Sequence, residues 1–195
     1  SSANSINIGR LAPQVVYYFR AYGDLVKSGR IRLGDVVDYT VPTGNFGDIL
    51  AGYYAKQMGL PVGRLVCASN KNNVLTDFLR TGTYDARRTF YKTTSPSMDI
   101  LISSNLERLL YHVSGSSEKV AGWMQELSAT GKYTVDAETL AKIQQSFAAG
   151  YADDADGAAE IKARFDGDHY LCDTHTAVAF RVAETRRTDA PMVVL

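Results

Sequence analysis

The 195 residues set 21 Lys and Arg against 21 Asp and Glu, a balance that argues against a broad basic face for nucleic acid or a polybasic patch for a membrane surface. Apolar residues at 45% and charged residues at 22% are ordinary globular composition, and the length suffices for one sizeable core or for most of one α/β domain. No apolar run is long enough to cross a bilayer, no signal-peptide pattern stands at residue 1, and Cys67 and Cys172 lie far apart in no paired spacing, so a cytoplasmic protein with two buried thiols is expected.

In chain order, Asn4-Ser5-Ile6-Asn7 with Arg10 comes first. These polar side chains ahead of a helix can cap it, and can also bind an anion. Residues 11 to 27 read as a helix: Pro13 suits a first turn, and Val15, Val16, Phe19, Tyr22, Leu25 and Val26 recur at helical spacing. Val36 to Val41 is a short strand. Ile49, Leu50, Tyr53, Tyr54 and Met58 form one face of the next helix, closed by Gly59. Arg64 to Ala68 is a second strand, and Val74, Leu75, Phe78 and Leu79 mark a helix closed by Gly82. Strand, helix, strand, helix with short connections implies parallel strands with right-handed crossovers.

From about residue 86 to 170 the pattern is mainly helical, and reads as an insertion into the α/β domain. Ser104-Asn105-Leu106-Glu107 has capping-box form. Trp123, Met124 and Leu127 mark another helix, Asp136 can cap a third carrying Leu140, Ile143 and Phe147, and Tyr151 to Phe165 is a largely solvated fourth. The α/β pattern resumes with a helix over 177–187 and a strand at Met192-Val193-Val194-Leu195. A chain that stops in a buried strand reads as a piece of something longer.

The chemistry centres on Val41-Pro42-Thr43-Gly44-Asn45-Phe46-Gly47-Asp48. An apolar strand runs into two glycines and then into an amphipathic helix. Such a turn can cradle a phosphate in backbone N–H groups at the positive end of the helix dipole. It can also be a tight strand-to-helix turn and nothing more. It is neither the dinucleotide G-x-G-x-x-G pattern nor a Walker loop, because no Lys-Ser/Thr follows. Beside a dianion the Asp48 carboxylate should turn away or cap amides. His169, Cys172 and His175 invite a zinc reading, but no fourth ligand completes a tetrahedron, so no metal is expected. Thr176 can cap the helix that follows it, or aim a hydroxyl at a ligand from the C-terminal edge of the sheet.

Four motifs together carry a resemblance. Asn4-Ser5-Ile6-Asn7, Pro42-Thr43-Gly44-Asn45-Phe46-Gly47-Asp48-Ile49, Ser95-Pro96-Ser97-Met98-Asp99-Ile100 and His175-Thr176-Ala177-Val178 stand in the order and at about the intervals seen in threonine synthases. The chain resembles the second part of those sequences. The resemblance implies a fold type II, tryptophan-synthase-β-like enzyme dependent on pyridoxal 5'-phosphate: a parallel sheet flanked by helices, here as a partial domain. It implies that Gly44, Asn45, Phe46, Gly47 and Asp48 hold the cofactor phosphate and that Thr176 meets the pyridine nitrogen. It places Asn4, Ser5 and Asn7 near the substrate. The implied reaction takes O-phosphohomoserine and water to threonine and phosphate. Thr174 stands where that family usually has proline. The family's Schiff-base lysine lies upstream in a Phe-Lys-Asp context, and none of the eight lysines here, Lys27, Lys56, Lys71, Lys92, Lys119, Lys132, Lys142 and Lys162, sits in one. The segment alone is therefore expected to be inactive. The alternatives are a non-catalytic phosphate-binding module of the same pattern and another fold type II lyase.

Overall fold

The computed structural model describes residues 6–195. Helix α1 (Ile8–Leu11), a 3-10 turn (Ala12–Gln14) and helix α2 (Val15–Lys27) lead into strand β1 (Val37–Pro42). The single helix expected over 11–27 is divided at Pro13, which stands in the 3-10 turn and has no N–H to continue a ladder. Helix α3 (Gly47–Gln57), strand β2 (Val62–Ser69), helix α4 (Val74–Thr81) and strand β3 (Thr83–Asp85) follow. Next come a 3-10 turn (Pro96–Met98), helices α5 (Leu106–Ser114) and α6 (Ser117–Thr130), strand β4 (Lys132–Thr134) and helix α7 (Ala137–Gln144). Strand β5 (Phe147–Tyr151), helices α8 (Asp154–Asp168) and α9 (Thr174–Arg186) and strand β6 (Met192–Val194) complete the order.

The main sheet runs β5-β2-β1-β6, with all its pairings parallel. β3 and β4 form a separate antiparallel ladder. In β1, Val37, Tyr39 and Val41 face a core shared with α2 and α3, together with Leu65 and Cys67 of β2. Val66 and Ala68 of β2 point to the opposite face, where Val178, Ala179 and Val182 of α9 cover them. The alternation of a buried strand thus builds two cores from one sheet. Where α2, α3 and β2 meet, only glycine fits at position 52: a Cβ there would lie 2.5 Å from the Tyr18 ring and 2.8 Å from the Leu65 side chain.

Three expectations need correction. The 86–170 stretch holds α5 to α8 but is not wholly an insertion, because β5 lies in the sheet beside β2, pairing Leu65 to Ser69 with Phe147 to Tyr151. Phe147 opens that strand rather than closing α7. The run Phe147-Ala148-Ala149-Gly150 has little intrinsic strand preference, and pairing with β2 overrides it. Second, Ser104 forms no capping box: α5 has Asn105 at its N-cap with no side-chain cap bond, and the buried Ser104 hydroxyl has no hydrogen-bond partner among the described residues. The reciprocal box occurs at α8, between Asp153 and Asp156. Third, α9 begins at Thr174 with Asp173 as its N-cap, so Thr176 lies inside the first turn instead of preceding the helix.

Candidate functional site

The turn between β1 and α3 is shaped by a non-glycine residue. Phe46 has φ 63° and ψ 5°, the left-handed region that costs a side chain of this size about 1 kcal/mol or more. Its ring is 1% exposed, with its centroid 5.6 Å from that of Phe147, and this burial holds the backbone in place. The first intrahelical bond of α3 runs from Leu50 N to Phe46 O. The N–H groups of Gly47, Asp48 and Ile49 therefore have no helical acceptor. The loop carbonyls are engaged elsewhere: Gly44 O accepts from Ser103 Oγ at 2.9 Å, and Asn45 O accepts from Asn105 N at 3.1 Å and Asn105 Nδ2 at 3.0 Å. Acceptors are thus drawn to the 103–105 segment while donors remain at the helix start. Beside them a hollow of about 130 Å³ is lined by residues 42–49 together with Arg10 and Gln14. Unengaged amides, a helix N-terminus and a guanidinium suit a tetrahedral oxyanion.

Asp48 is the one acid in this hollow. The Tyr18 hydroxyl donates to its main-chain oxygen at 2.8 Å and to Oδ1 at 3.3 Å. Desolvation pushes the Asp48 carboxyl up to about 6, against the opposing effect of the Tyr18 bond. A raised value means that a nearby anion can drive Asp48 to its neutral form at less cost than an ordinary aspartate.

The glycine at 44 serves a contact within the chain. A Cβ there would stand 2.6 Å from Ser97 O and 3.3 Å from Met98 Cα, so the backbone of the Pro96–Met98 turn closes directly over it. The same Ser97 donates its N–H to His175 Nε2 at 3.2 Å, and Thr174 Oγ1 donates to Thr94 O at 2.7 Å. Residues 94–97 thus lie between the glycine turn and the start of α9, both at the C-terminal edge of the sheet, where open α/β folds place ligands.

Around Thr176 the hydrogen-bond directions can be derived. Because Ser97 N–H is a donor, His175 Nε2 must accept, and the neutral ring carries its proton on Nδ1. Nδ1 lies 3.1 Å from Asp173 Oδ1. Thr176 Oγ1 donates to Asp173 Oδ2 at 2.5 Å, since an ionised carboxylate only accepts. The Thr176 hydroxyl, first among several donors, holds the Asp173 carboxyl down at about 2. Asp173 also caps the helix through His175 N and Thr176 N.

Of the other expected site residues, Asn4 and Ser5 lie outside the described residues. Asn7 caps α1, its Oδ1 accepting from Gly9 N at 2.9 Å. None of the lysines lines the hollow beside residues 42–49. Lys56 donates to Gly63 O at 2.8 Å, and Lys71 stands 4.3 Å over the Tyr91 ring. Sequence reasoning missed Gln14, Tyr18, Asn70, Asn72, Ser103 and Asn105. One signal was present for two of them: Ser69-Asn70-Lys71-Asn72-Asn73 is a polar run at the C-terminal end of a strand, the position at which side chains converge on a ligand edge.

No protein-family model matches the chain. Human threonine synthase-like 1 is 47% identical over 186 residues, covering 94% of this chain and 25% of that protein. A pyridoxal-phosphate-bound threonine synthase from Brucella melitensis superposes with a TM-score of 0.94 at 46% identity, over 100% of this chain and 41% of the other. Yeast threonine synthase superposes with a TM-score of 0.87 at 34% identity, over 98% of this chain and 41% of the other. The chain therefore spans a quarter to about two fifths of the length of these three proteins.

Proposed function

Starting from a chain that corresponds to a segment of threonine synthases, we propose that it forms the phosphate-and-ring side of a pyridoxal 5'-phosphate site. In a longer protein that supplies the lysine, it would serve the conversion of O-phosphohomoserine and water to threonine and phosphate. The observation that carries this reading is the start of α3. There the N–H groups of Gly47, Asp48 and Ile49 face no helical acceptor, while the carbonyls of Gly44 and Asn45 are bonded to Ser103 and Asn105. The donor set fits a phosphate dianion, which takes several N–H bonds and a nearby cation.

In this reading residues 44 to 48 bind the phosphate through main-chain donors, and the Asp48 side chain stays with Tyr18. Thr176 Oγ1 meets the ring nitrogen; it accepts from a protonated nitrogen while its own proton stays on Asp173 Oδ2, and it donates to a bare nitrogen only by releasing that bond. Asn4, Ser5 and Asn7 contribute to the substrate side. Pyridoxal phosphate, when bound, supplies an electron sink for negative charge developing on substrate carbon. This chain's residues orient the group and exclude water from its phosphate. No lysine here adjoins the hollow, and an amine is needed both to hold the aldehyde and to move protons.

The test has two arms. Pyridoxal 5'-phosphate is titrated into the isolated chain and followed by cofactor fluorescence, with saturable binding expected. Threonine formation from O-phosphohomoserine with the cofactor added should stay at the no-protein level. Absence of saturable binding would defeat the site assignment, and turnover well above that level would defeat the division of labour.

A further inference from the structure

We propose that Asp99 is a positioning residue. By holding the Ser95–Met98 turn in place, it sets the glycine turn before α3 and the start of α9 at a fixed separation, so that one ligand is gripped from both. The ligand part of this statement rests on the reading above; the mechanical part does not.

Asp99 lies in the Ser95–Ile100 motif and follows the Pro96–Met98 turn. Its carboxylate accepts from Asn70 Nδ2 at 2.8 Å, Asn72 Nδ2 at 3.0 Å, Thr93 Oγ1 at 2.7 Å and Thr93 N at 2.9 Å. All four donors are neutral, so the charge is satisfied by oriented dipoles, each bond strengthened by the charge it meets. Asn72 is 4% exposed, and with Tyr91 O as the other acceptor of its NH₂, losing Asp99 leaves one buried N–H unpaired, which is costly; Asn70 also reaches Thr93 Oγ1 and Ser95 Oγ. Asn72 also clasps Tyr91, accepting from its N–H at 2.9 Å and donating to its carbonyl at 2.8 Å. Asn70 follows directly on β2, so the knot anchors the 91–99 loop to the end of a central strand.

What the knot holds is Ser97. On one side its carbonyl fills the space that a side chain at Gly44 would need. On the other its N–H bonds His175 Nε2, next in sequence to Thr176. Gly44 and His175 belong to elements separated along the chain by most of its length, and Ser97 touches both. A shift of the turn therefore moves a spacer between two halves of one site, and misplacements of about 1 Å in such supports weaken function strongly.

The variant Asp99→Asn keeps the shape, but whichever way its amide turns the NH₂ meets a donor: Thr93 N–H on the Oδ2 side, or Asn70, Asn72 and Thr93 Oγ1 on the Oδ1 side. Two measurements on the full chain report the result. The ¹⁵N signals of the His175 ring should show a bare, hydrogen-bonded Nε2 and a protonated Nδ1 in the unaltered chain, and D99N should lose that pattern. The dissociation constant for pyridoxal 5'-phosphate should rise about tenfold, the scale of lost support behind a directly contacting group. Gly44→Ala, which drives a methyl group into Ser97 O, should disturb the His175 ring in the same way from the opposite side. This second variant decides the matter should D99N fail to fold. An unchanged His175 ring in either folded variant overturns the proposal. If the unaltered chain binds no cofactor, the site reading fails, and the His175 signals alone decide whether Asp99 acts as a brace.

Discussion

The Tyr18 hydroxyl, on a side chain that is 0% exposed, donates to both the main-chain carbonyl and the carboxylate of Asp48, at 2.8 Å and 3.3 Å. A core tyrosine on α2 thereby bonds the acid at the second position of α3. Tyr39 extends the chain inward, its hydroxyl donating to Tyr18 O at 3.1 Å. Hydrogen bonds thus join the start of α3 to the core below it.

That relationship gives stability a pH dependence with a definite sign. The folded-state value of Asp48 is raised to about 6 from 3.8, so its contribution is fully present below pH 4 and is lost as pH rises through about 6. The variant Asp48→Asn removes the cost of burying the charge and still accepts from Tyr18. In urea unfolding it should be more stable than the parent at pH 7.5 by on the order of 2 kcal/mol, with the gap closing toward pH 4.5. A gap that does not change across this range would show that Asp48 is not titrating there.

A second prediction concerns the junction of α2, α3 and β2. Gly52→Ala places a methyl group 2.5 Å from the Tyr18 ring and 2.8 Å from Leu65, and neither fully buried side chain has room to retreat. Overpacking of this kind costs about 1–3 kcal/mol, so the thermal midpoint should fall by several degrees. The ring of Tyr18 is the group displaced, so Asp48 should also change its titration, as followed by carboxyl ¹³C shifts. An unchanged midpoint would mean that the junction is looser than these distances indicate.

Thr176→Val separates ligand binding from helix capping. Asp173 still caps α9 through the N–H groups of His175 and Thr176, so circular dichroism should report the helix intact. Asp173 loses the hydroxyl that contributes most to its low value, and that value rises from about 2 toward an ordinary aspartate. A depressed acid contributes stability above its unfolded value and loses it as pH falls through the folded one. Acid unfolding of the variant should therefore begin at a higher pH than in the parent. Coincident acid transitions would remove Thr176 from the Asp173 environment.

Much of the local structure around the candidate site was legible in the residue order, though not always for the reason first given. The turn at 44–48 was read from its two glycines, yet its residue with positive φ is Phe46, and the absent side chain at Gly44 leaves room for Ser97 O. A left-handed phenylalanine cannot be anticipated locally, because it is stable only while its ring is buried against Phe147. Thr176 was singled out correctly as a residue near a helix start, but the capping belongs to Asp173, three residues earlier, where the helix actually begins. The strand at Phe147–Tyr151 was hidden because alanine and glycine carry little strand signal.

The residue order alone determined the class of the fold and the chemistry on offer. Apolar strands joined to amphipathic helices by short connections imply a parallel sheet with helices on its faces, and a glycine-bearing strand-to-helix turn can lay out amides for an anion. These are short-range properties, set by where side chains must point along a strand or a helix. Only the tertiary structure decided that Ser97 would sit between Gly44 and His175, that Tyr18 would bond the Asp48 carboxylate, and that Asn70 and Asn72 would meet Asp99. Such contacts join residues tens of positions apart. They follow from how the loops at one sheet edge fill the space left by the packed core, and no local pattern encodes that.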